Sequence, residues 1–358
     1  MKKINALVTS VGGIVAQGII KSLKYHNKYQ NNTGHRYEIL GTDINYEAAG
    51  LYRVHKFSLV TKPSDRNYLK TILELCIKNK IHVLFIGSDV ELPILCKYRE
   101  KIENITGAKV ITSRENVVDM CRDKYLTYQF LEKNDLNAIP TCLPDDMDLF
   151  LKEEKFPLVV KPREGFGSKL FQLVSNHDEL DFAIRSIENA NWKPMIQKYL
   201  NNDSKEYTTG ITIDKDVRQV MSSITMRKVL KHGQTYKAFI DYFPQVKKIC
   251  NRIASSLDTE GPINIQSRID TDDKKVKIIE INSRFSASCP MRTVAGINEP
   301  DIITRNVLFN EKIKIEKYRP LICMRYWNET YVDKEKLDKV KSKKSTINKL
   351  NSEIFDYF

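Results

Sequence analysis

The sequence predicts two folds in series, an α/β domain wound on a parallel sheet and then an α+β domain built on antiparallel hairpins. Two observations carry this. Over roughly the first hundred residues, short apolar runs alternate with amphipathic stretches, the pattern of strand–helix–strand winding. From residue 206 onward, pairs of long alternating runs turn back on themselves through Asp-rich loops, which is hairpin patterning.

In order along the chain, residues 4–9 form an apolar strand, Gly12-Gly13 a turn, and 14–29 a helix with Ile14, Ile19, Ile20 and Leu23 at helical spacing. Residues 37–42 are a second strand ending at Asp43, and 56–60 a short third. A helix over 65–79 leads to a buried strand at 82–86 that runs into Gly87-Ser88-Asp89. A helix over 90–100 and a strand at 109–111 close the first unit. Helical segments at 115–119 and 123–134 then precede strand–helix alternation through Ile196. Strands 206–213 and 217–229 turn at Asp214-Lys215-Asp216, and a helix over 241–257 separates them from strands 262–269 and 275–281, which turn at 270–273. The segment after Tyr318 is Lys-rich and ends in Phe355-Asp356-Tyr357-Phe358. No internal repeat is visible.

Composition narrows the class. At 358 residues, 41% hydrophobic and 29% charged, the chain suits a globular protein of two or three lobes. No stretch approaches the roughly 18 apolar residues of a membrane span. The N-terminal apolar run stops at Thr9-Ser10-Val11-Gly12-Gly13 without a signal-peptide cleavage pattern, so the expectation is a cytoplasmic protein that needs no membrane. Seven scattered cysteines without a C-x-x-C pair predict reduced thiols. The formal charge of +13 is spread along the chain and is densest at 334–349. That distribution favours small anionic substrates over nucleic acid.

Three segments carry chemistry. On a strand at 278–285, Glu280, Asn282 and Arg284 point to one face at spacings of roughly 7 Å, and Gln266 on the preceding strand adds an oxygen if it pairs opposite. Such oxygens suit Mg²⁺ shared with phosphate, and an arginine beyond the ion suits a phosphoryl group in transfer. A solvated edge strand would show the same stripe. The second segment is a buried strand ending in Lys161, followed by a loop with Gly165, Gly167 and Ser168 whose backbone could approach phosphate oxygens. It is neither a Walker loop nor G-x-G-x-x-G. The third is Met195-Ile196-Gln197-Lys198-Tyr199-Leu200, followed by Glu206, which could edge a purine and hold a ribose.

The order and spacing of these segments resemble the ATP-grasp superfamily over roughly residues 1–310, most of all the carbamoyl phosphate synthetase large-subunit type, whose metal strand reads E-x-N-P-R. The resemblance implies a pre-ATP-grasp, Rossmann-like α/β domain at 1–113, an ATP-grasp N-terminal lobe with a mobile lid at 114–196, a C-terminal lobe with the metal site at 197–318, and a basic extension at 319–358. Lys124 and Lys161 would contact the phosphates of ATP, with Gly165, Gly167 and Ser168 closing over them. Gln197, Lys198, Tyr199 and Leu200 would hold the adenine through backbone groups, with Lys198 near the base, and Glu206 would bind the ribose. Gln266, Glu280 and Asn282 would coordinate Mg²⁺, with Mn²⁺ as an alternative ion. Arg284 would stabilise the transferred phosphoryl group, and Arg227 stands where a basic residue often lies near the acyl phosphate. Ser283 replaces the proline of the pattern, and Gln266 replaces a carboxylate common among relatives.

The implied activity is ligation. A carboxylate is activated as an acyl phosphate and captured by an amine, an amino acid or ammonia, with release of ADP and phosphate. Phosphorylation of carbamate or bicarbonate is the close variant, and a non-catalytic ATP-binding scaffold the alternative of another class. A nicotinamide-dependent enzyme lacks its three-glycine fingerprint here. For the acceptor substrate, the expectations are an anion at Gly12-Gly13, an ammonium group at Asp89 with Glu91, and a carboxylate clamped by Arg292, while Asp43 reads as a loop acid. A homodimer is compatible with the sequence.

Overall fold

The computed structural model describes residues 1–358 except 31–32, 166–168, 202–204, 232, 327, 343–346 and 349–358, and except the side chains of 342, 347 and 348. No helix among the described residues is long and apolar enough to cross a membrane.

The first sheet grows outward from β1 (Lys2–Val8), whose Ile4, Ala6 and Val8 enter one core and Leu7 another. That double-sided burial is what a central parallel strand requires. The chain continues through α1 (Ile14–Tyr29), β2 (His35–Asp43), β3 (Lys56–Leu59), α2 (Tyr68–Lys78), β4 (Val83–Phe85), α3 (Leu92–Lys97), α4 (Arg99–Thr106) and β5 (Lys109–Ile111). These five strands are parallel in the order β3-β2-β1-β4-β5. Ile19, Ile20 and Leu23 of α1 cover one face, and Ile72, Leu75 and Leu95 of α2 and α3 the other. The order reverses between β1 and β4, so the ends of those strands open the crevice in which such sheets bind ligands. The helix expected over 90–100 is two helices, because Tyr98 (φ −98°, ψ 17°) leaves helical geometry and α4 restarts beside it. Ile14, expected on the buried stripe, is 48% exposed.

Next come α5 (Glu115–Arg122), α6 (Lys124–Lys133), β6 (Thr141–Cys142), α7 (Met147–Glu153), β7 (Leu158–Pro162), β8 (Gln172–Val174), α8 (His177–Asn189) and β9 (Pro194–Lys198). The strands form a small antiparallel sheet, β6-β9-β7-β8, with its own core of Leu158, Val160, Leu180, Ile187 and Ile196.

The remaining elements are β10 (Glu206–Ile213), β11 (Val220–Lys231), β12 (Gln234–Ile240), α9 (Pro244–Ser256), β13 (Gly261–Ile269), β14 (Val276–Asn282), α10 (Cys289–Val294), α11 (Glu299–Phe309), β15 (Leu321–Met324), α12 (Lys334–Ser342) and β16 (Ile347–Asn348). The larger antiparallel sheet runs β14-β13-β10-β11-β12-β15, while β16 returns to the outer edge of β3. Strand β12 was not legible in the sequence, because only Ala238 and Ile240 of its residues are buried. One face of this sheet packs Tyr207, Ile211, Ile263, Ile265 and Ile281 against Val246, Ile249 and Ile253 of α9. On the other face, Ile224, Met226, Ala238 and Ile240 join the core of the N-terminal sheet.

The turn between β10 and β11 is longer than expected. Asp214 Oδ1 accepts from the backbone N–H of Asp216 and Val217, Arg218 takes φ 55°, and the second strand starts at Val220. Ile213 pairs with Val220, but Thr212 pairs with Ser222, so Met221 is an extra residue in the ladder. The bulge changes which side chains reach the site.

Candidate active site

The site begins on the face of the large sheet that α9 does not cover. Gln266 pairs opposite Glu280, and Asn264 opposite Asn282. Partners across a ladder share a face, so Glu280, Gln266 and Asn282 stand together. Gln266 Nε2 donates to Glu280 Oε2 at 3.3 Å, and Gln266 Oε1 accepts from Lys228 Nζ at 2.6 Å. Lys228 Nζ also lies 2.7 Å from Glu206 Oε1, and Arg268 Nη2 lies 3.1 Å from Glu206 Oε2. The result is a row of alternating acceptors and cations across four strands. Asn282 is buried, and its Nδ2 has no hydrogen-bond partner among the described residues.

Lys228 is the residue that sequence reasoning missed, and the bulge is the reason. Counted back from Ile213 and Val220 in an unbroken ladder, Arg227 would face Glu206. Met221 shifts the count by one, so Lys228 faces Glu206 and Arg227 faces Tyr207 on the α9 side. Arg227 lies over the ring of Phe239, 3.9 Å from its centroid. Its expected place near an acyl phosphate is therefore corrected, since it sits on the wrong face of the sheet. Arg227→Ala is expected to leave ADP release within about threefold of the parent. Lys228→Met, which strips one charged bond from both Glu206 and Gln266, is expected to lower it ~10-fold, the worth of about 1.4 kcal/mol. Initial rates of the two variants check the pair.

Two lysines approach the same cleft from the small sheet. Lys161 ends the apolar strand β7 and is buried, with Nζ donating to Gln197 Oε1 at 2.8 Å. Gln197 Nε2 donates in turn to Thr141 Oγ1 at 2.9 Å, so the side chain of Gln197 aims the lysine. Burial and the charge of Lys124 lower the Lys161 ammonium from the usual 10.5 to about 8, against an opposing pull from Glu280. Lys124 Nζ donates to Gly165 O at 3.0 Å, and burial lowers its proton affinity too, opposed chiefly by Glu280. Asp123 caps α6 and grips Arg163, which ties Lys124 to the loop after β7. Gly165 has φ 112° and a Cβ there would meet the Trp192 ring at 3.2 Å, so glycine is required. Gly167 and Ser168 lie outside the described residues.

At the end of β9, Lys198 sends its ammonium to Glu154 at 3.1 Å and its backbone N–H to Pro140 O. Leu200 is buried, and its carbonyl accepts from Arg268 Nη1 at 3.4 Å; Tyr199 is half-buried.

Arg284 closes the cleft against the N-terminal sheet. Its Nε and Nη2 meet Asp89 Oδ1 and Oδ2 at 2.6 and 3.0 Å, a two-point pairing across the β1/β4 crevice. Glu280 acts electrostatically on Lys124, Lys161 and Arg284 together, so the three segments converge.

Four expectations for the acceptor site are corrected. Arg292 is fully buried and pairs with Glu299 at 2.9 Å beneath Gly210, out of reach of any substrate. Glu91 is buried and accepts from the hydroxyls of Thr9, Ser10 and Tyr68, which leaves no oxygen for an ammonium group. Asp89 holds Arg284 instead. At Gly12-Gly13 the anion is internal, because Asp43 Oδ2 accepts from the Gly12 N–H at 2.7 Å; Asp43 is the buried last residue of β2 and not a loop acid.

Comparison with known proteins follows this geometry. Residues 192–330 match a family described as ATP-grasp in the biosynthetic pathway with Ter operon, and residues 7–111 match the PylC-like N-terminal domain. The carbamoyl phosphate synthase large chain of Pseudothermotoga lettingae is 23% identical over 257 residues, 67% of this chain but 22% of that protein. The chain thus spans about a fifth of that relative's length. The biotin carboxylase domain of the Hydrogenobacter thermophilus 2-oxoglutarate carboxylase, solved with MgADP and bicarbonate, superposes with a TM-score of 0.68 at 15% identity, over 94% of this chain and 76% of that one. An L-amino acid ligase from Bacillus licheniformis gives 0.61 at 16% identity, over 90% and 75%. The fold is that of the ATP-grasp enzymes. The chain is thus similar to ATP-grasp proteins over residues 192–330, to the PylC-like N-terminal domain over residues 7–111, and to the carbamoyl phosphate synthase large chain.

Proposed function

We propose that the chain is a Mg²⁺- and ATP-dependent ligase that phosphorylates a small carboxylate and transfers the acyl group to an amine. The observation that carries this reading is the convergence of Glu280 and its neighbours with Lys124 and Lys161 on one cleft, closed by Arg284 at the crevice of the N-terminal sheet. One carboxylate and two amide oxygens on adjacent strands form a hard-oxygen donor set that suits Mg²⁺ shared with phosphates. Glu280, Asn282 and Gln266 would hold the ion, which supplies charge neutralisation at the polyphosphate. As a ligand, Gln266 would turn its amide away from Lys228.

Lys124 and Lys161 would bind the phosphates, Gly165 would let the loop backbone approach them, residues 197–200 would edge the base, and Glu206 would take the ribose hydroxyls. The carboxylate oxygen attacks the γ-phosphorus, the bond to the β-γ bridging oxygen breaks, and ADP leaves. The amine then displaces phosphate from the acyl carbon. Arg284 would meet the developing charge once the substrate competes with Asp89 for its guanidinium. The small sheet that carries Lys161 would close as a lid over the acyl phosphate, excluding water. In domain terms this assigns 1–113 to the N-terminal domain, 114–196 to the lobe with the lid, 197–318 to the metal-bearing lobe and 319–358 to an extension.

The same constellation serves bicarbonate as acceptor, a variant favoured by the likeness to the biotin carboxylase domain. Mg²⁺-dependent ADP release, measured across a matrix of amino acids, sugar acids and bicarbonate with and without amines, tests the proposal. The expected result is stimulation by one carboxylate–amine pair. Stimulation by bicarbonate without an amine selects the variant, and ATP binding with no stimulated turnover selects a scaffold.

A further inference from the structure

Far from this cleft, His26 of α1, His35 of β2 and Asp301 of α11 meet in a buried cluster. Neither the ligase chemistry nor the packing of a hydrophobic core requires them. His26 Nδ1 and His35 Nε2 lie 3.1 and 2.9 Å from the same oxygen, Asp301 Oδ1, and the two rings stack at 4.4 Å. His26 Nδ1 is fully buried, has no hydrogen-bond partner among the described residues, and is aimed into the cluster.

The hydrogen bonds around the rings assign their protons. Thr33 Oγ1 donates to Gln30 O, so at 3.1 Å from His26 Nε2 it can only accept. His26 Nε2 also faces His35 O at 3.3 Å, a second acceptor. His35 Nδ1 faces only the carbonyl of Thr33, at 3.4 Å. His26 Nε2 therefore carries its proton and His26 Nδ1 presents a lone pair toward Asp301 Oδ1, while His35 Nε2 donates to that oxygen at 2.9 Å, a proton that a bound cation would replace. A lone pair aimed at a carboxylate oxygen is unfavourable unless a cation, a proton on the imidazole or a metal ion, lies between them.

Remote imidazole N–H groups held by backbone carbonyls are the usual support of metal-bound histidines. Arg305 occupies only the far oxygen, Asp301 Oδ2, at 3.1 Å. Tyr37 Oη donates to Asp301 Oδ1 at 2.8 Å and so fixes the orientation of that oxygen. An open pocket of about 390 Å³, lined by Thr33, Asn298, Asp301 and Arg305 among others, leads to the cluster and provides a path for an ion and its water.

We propose that His26, His35 and Asp301 bind one divalent transition-metal ion of the zinc class, pinning α1 and β2 of the N-terminal sheet to α11. The two imidazole nitrogens lie 3.1 and 2.9 Å from Asp301 Oδ1, and all three donor atoms lie within 4.8 Å of one another, a spread that a metal with bonds of about 2.0–2.1 Å can draw together.

The test is titration of the chelator-treated full-length protein with Co²⁺, read by visible absorption and by metal content after gel filtration. One equivalent is expected, with a four-coordinate visible band and a rise in thermal midpoint. The double variant His26→Asn/His35→Asn is expected to lose more than the ~10- to 100-fold of affinity that a missing supporting residue costs. Asp301→Asn, which keeps shape and removes charge, is expected to weaken binding as well. Substoichiometric uptake without a band by the parent protein would overturn the site, whatever the variants do. So would full Co²⁺ binding by a folded double variant, with folding read by circular dichroism.

Discussion

Glu280→Ala is expected to cut Mg²⁺-dependent ADP release at least ~100-fold, a loss of about 2.7 kcal/mol or more of transition-state stabilisation, while the protein stays folded. Folding should survive because the carboxylate is half-exposed and its one hydrogen bond, from Gln266, is long at 3.3 Å. Activity should not survive, for two separable reasons. The site loses its only acidic candidate ligand, and Gln266 and Asn282 are neutral. Glu280 also opposes the burial that lowers the proton affinity of Lys124 and Lys161, so without it both affinities fall further. Glu280→Gln keeps the volume and removes the charge, and should fall nearly as far. Steady-state ADP release with a thermal melt of each variant checks the claim. Undiminished turnover in a folded Glu280→Ala protein would remove the metal assignment and, with it, the ligase reading.

Much of this site could be read in the sequence, for a definite reason. The spacing of Glu280 and Asn282 is a property of one strand, and a strand's alternation survives an error in its ends; Arg284, expected on the same strand, lies two residues past the end of β14. The pairing of Gln266 with Glu280 also held, but through a second bulge: counted from the turn at 270–273 Gln266 would meet Ile279, and the extra residue there brings it opposite Glu280. Arg227 failed for the complementary reason. Its face depends on register between two strands, and the single extra residue at Met221 inverts it. Arg292, Glu91 and Asp43 failed differently. A charged residue near a glycine loop looks the same in sequence whether it serves a substrate or a buried partner, and here each has an internal partner: Glu299, three hydroxyls, and the Gly12 amide. The link between Asp89 and Arg284, 195 residues apart, belongs to tertiary structure alone.

Lys161→Met is expected to stabilise the nucleotide-free protein while destroying its response to ATP. Burial holds the Lys161 ammonium near 8, below the usual 10.5. The folded state therefore binds fewer protons than the unfolded chain between those two values, and stability rises with pH across that window. Below about pH 8 the full penalty is present, on the order of 3 kcal/mol. Methionine removes the penalty but leaves Gln197 Oε1 without its donor, which costs about 1–3 kcal/mol. The net gain is about 1 kcal/mol at pH 7; it should vanish at pH ~9 and reverse to a net loss above it. Binding runs the other way. ATP selects the ammonium form, so affinity in the parent should fall up to ~10-fold per pH unit above 8, and Lys161→Arg should flatten that dependence. Thermal melts with and without Mg-ATP from pH 6.5 to 9.5 measure both effects. A Lys161→Met protein that is still stabilised by Mg-ATP as the parent is would show that this lysine is an ordinary buried residue, and a parent affinity flat through pH 8 would show that its proton takes no part in holding the nucleotide.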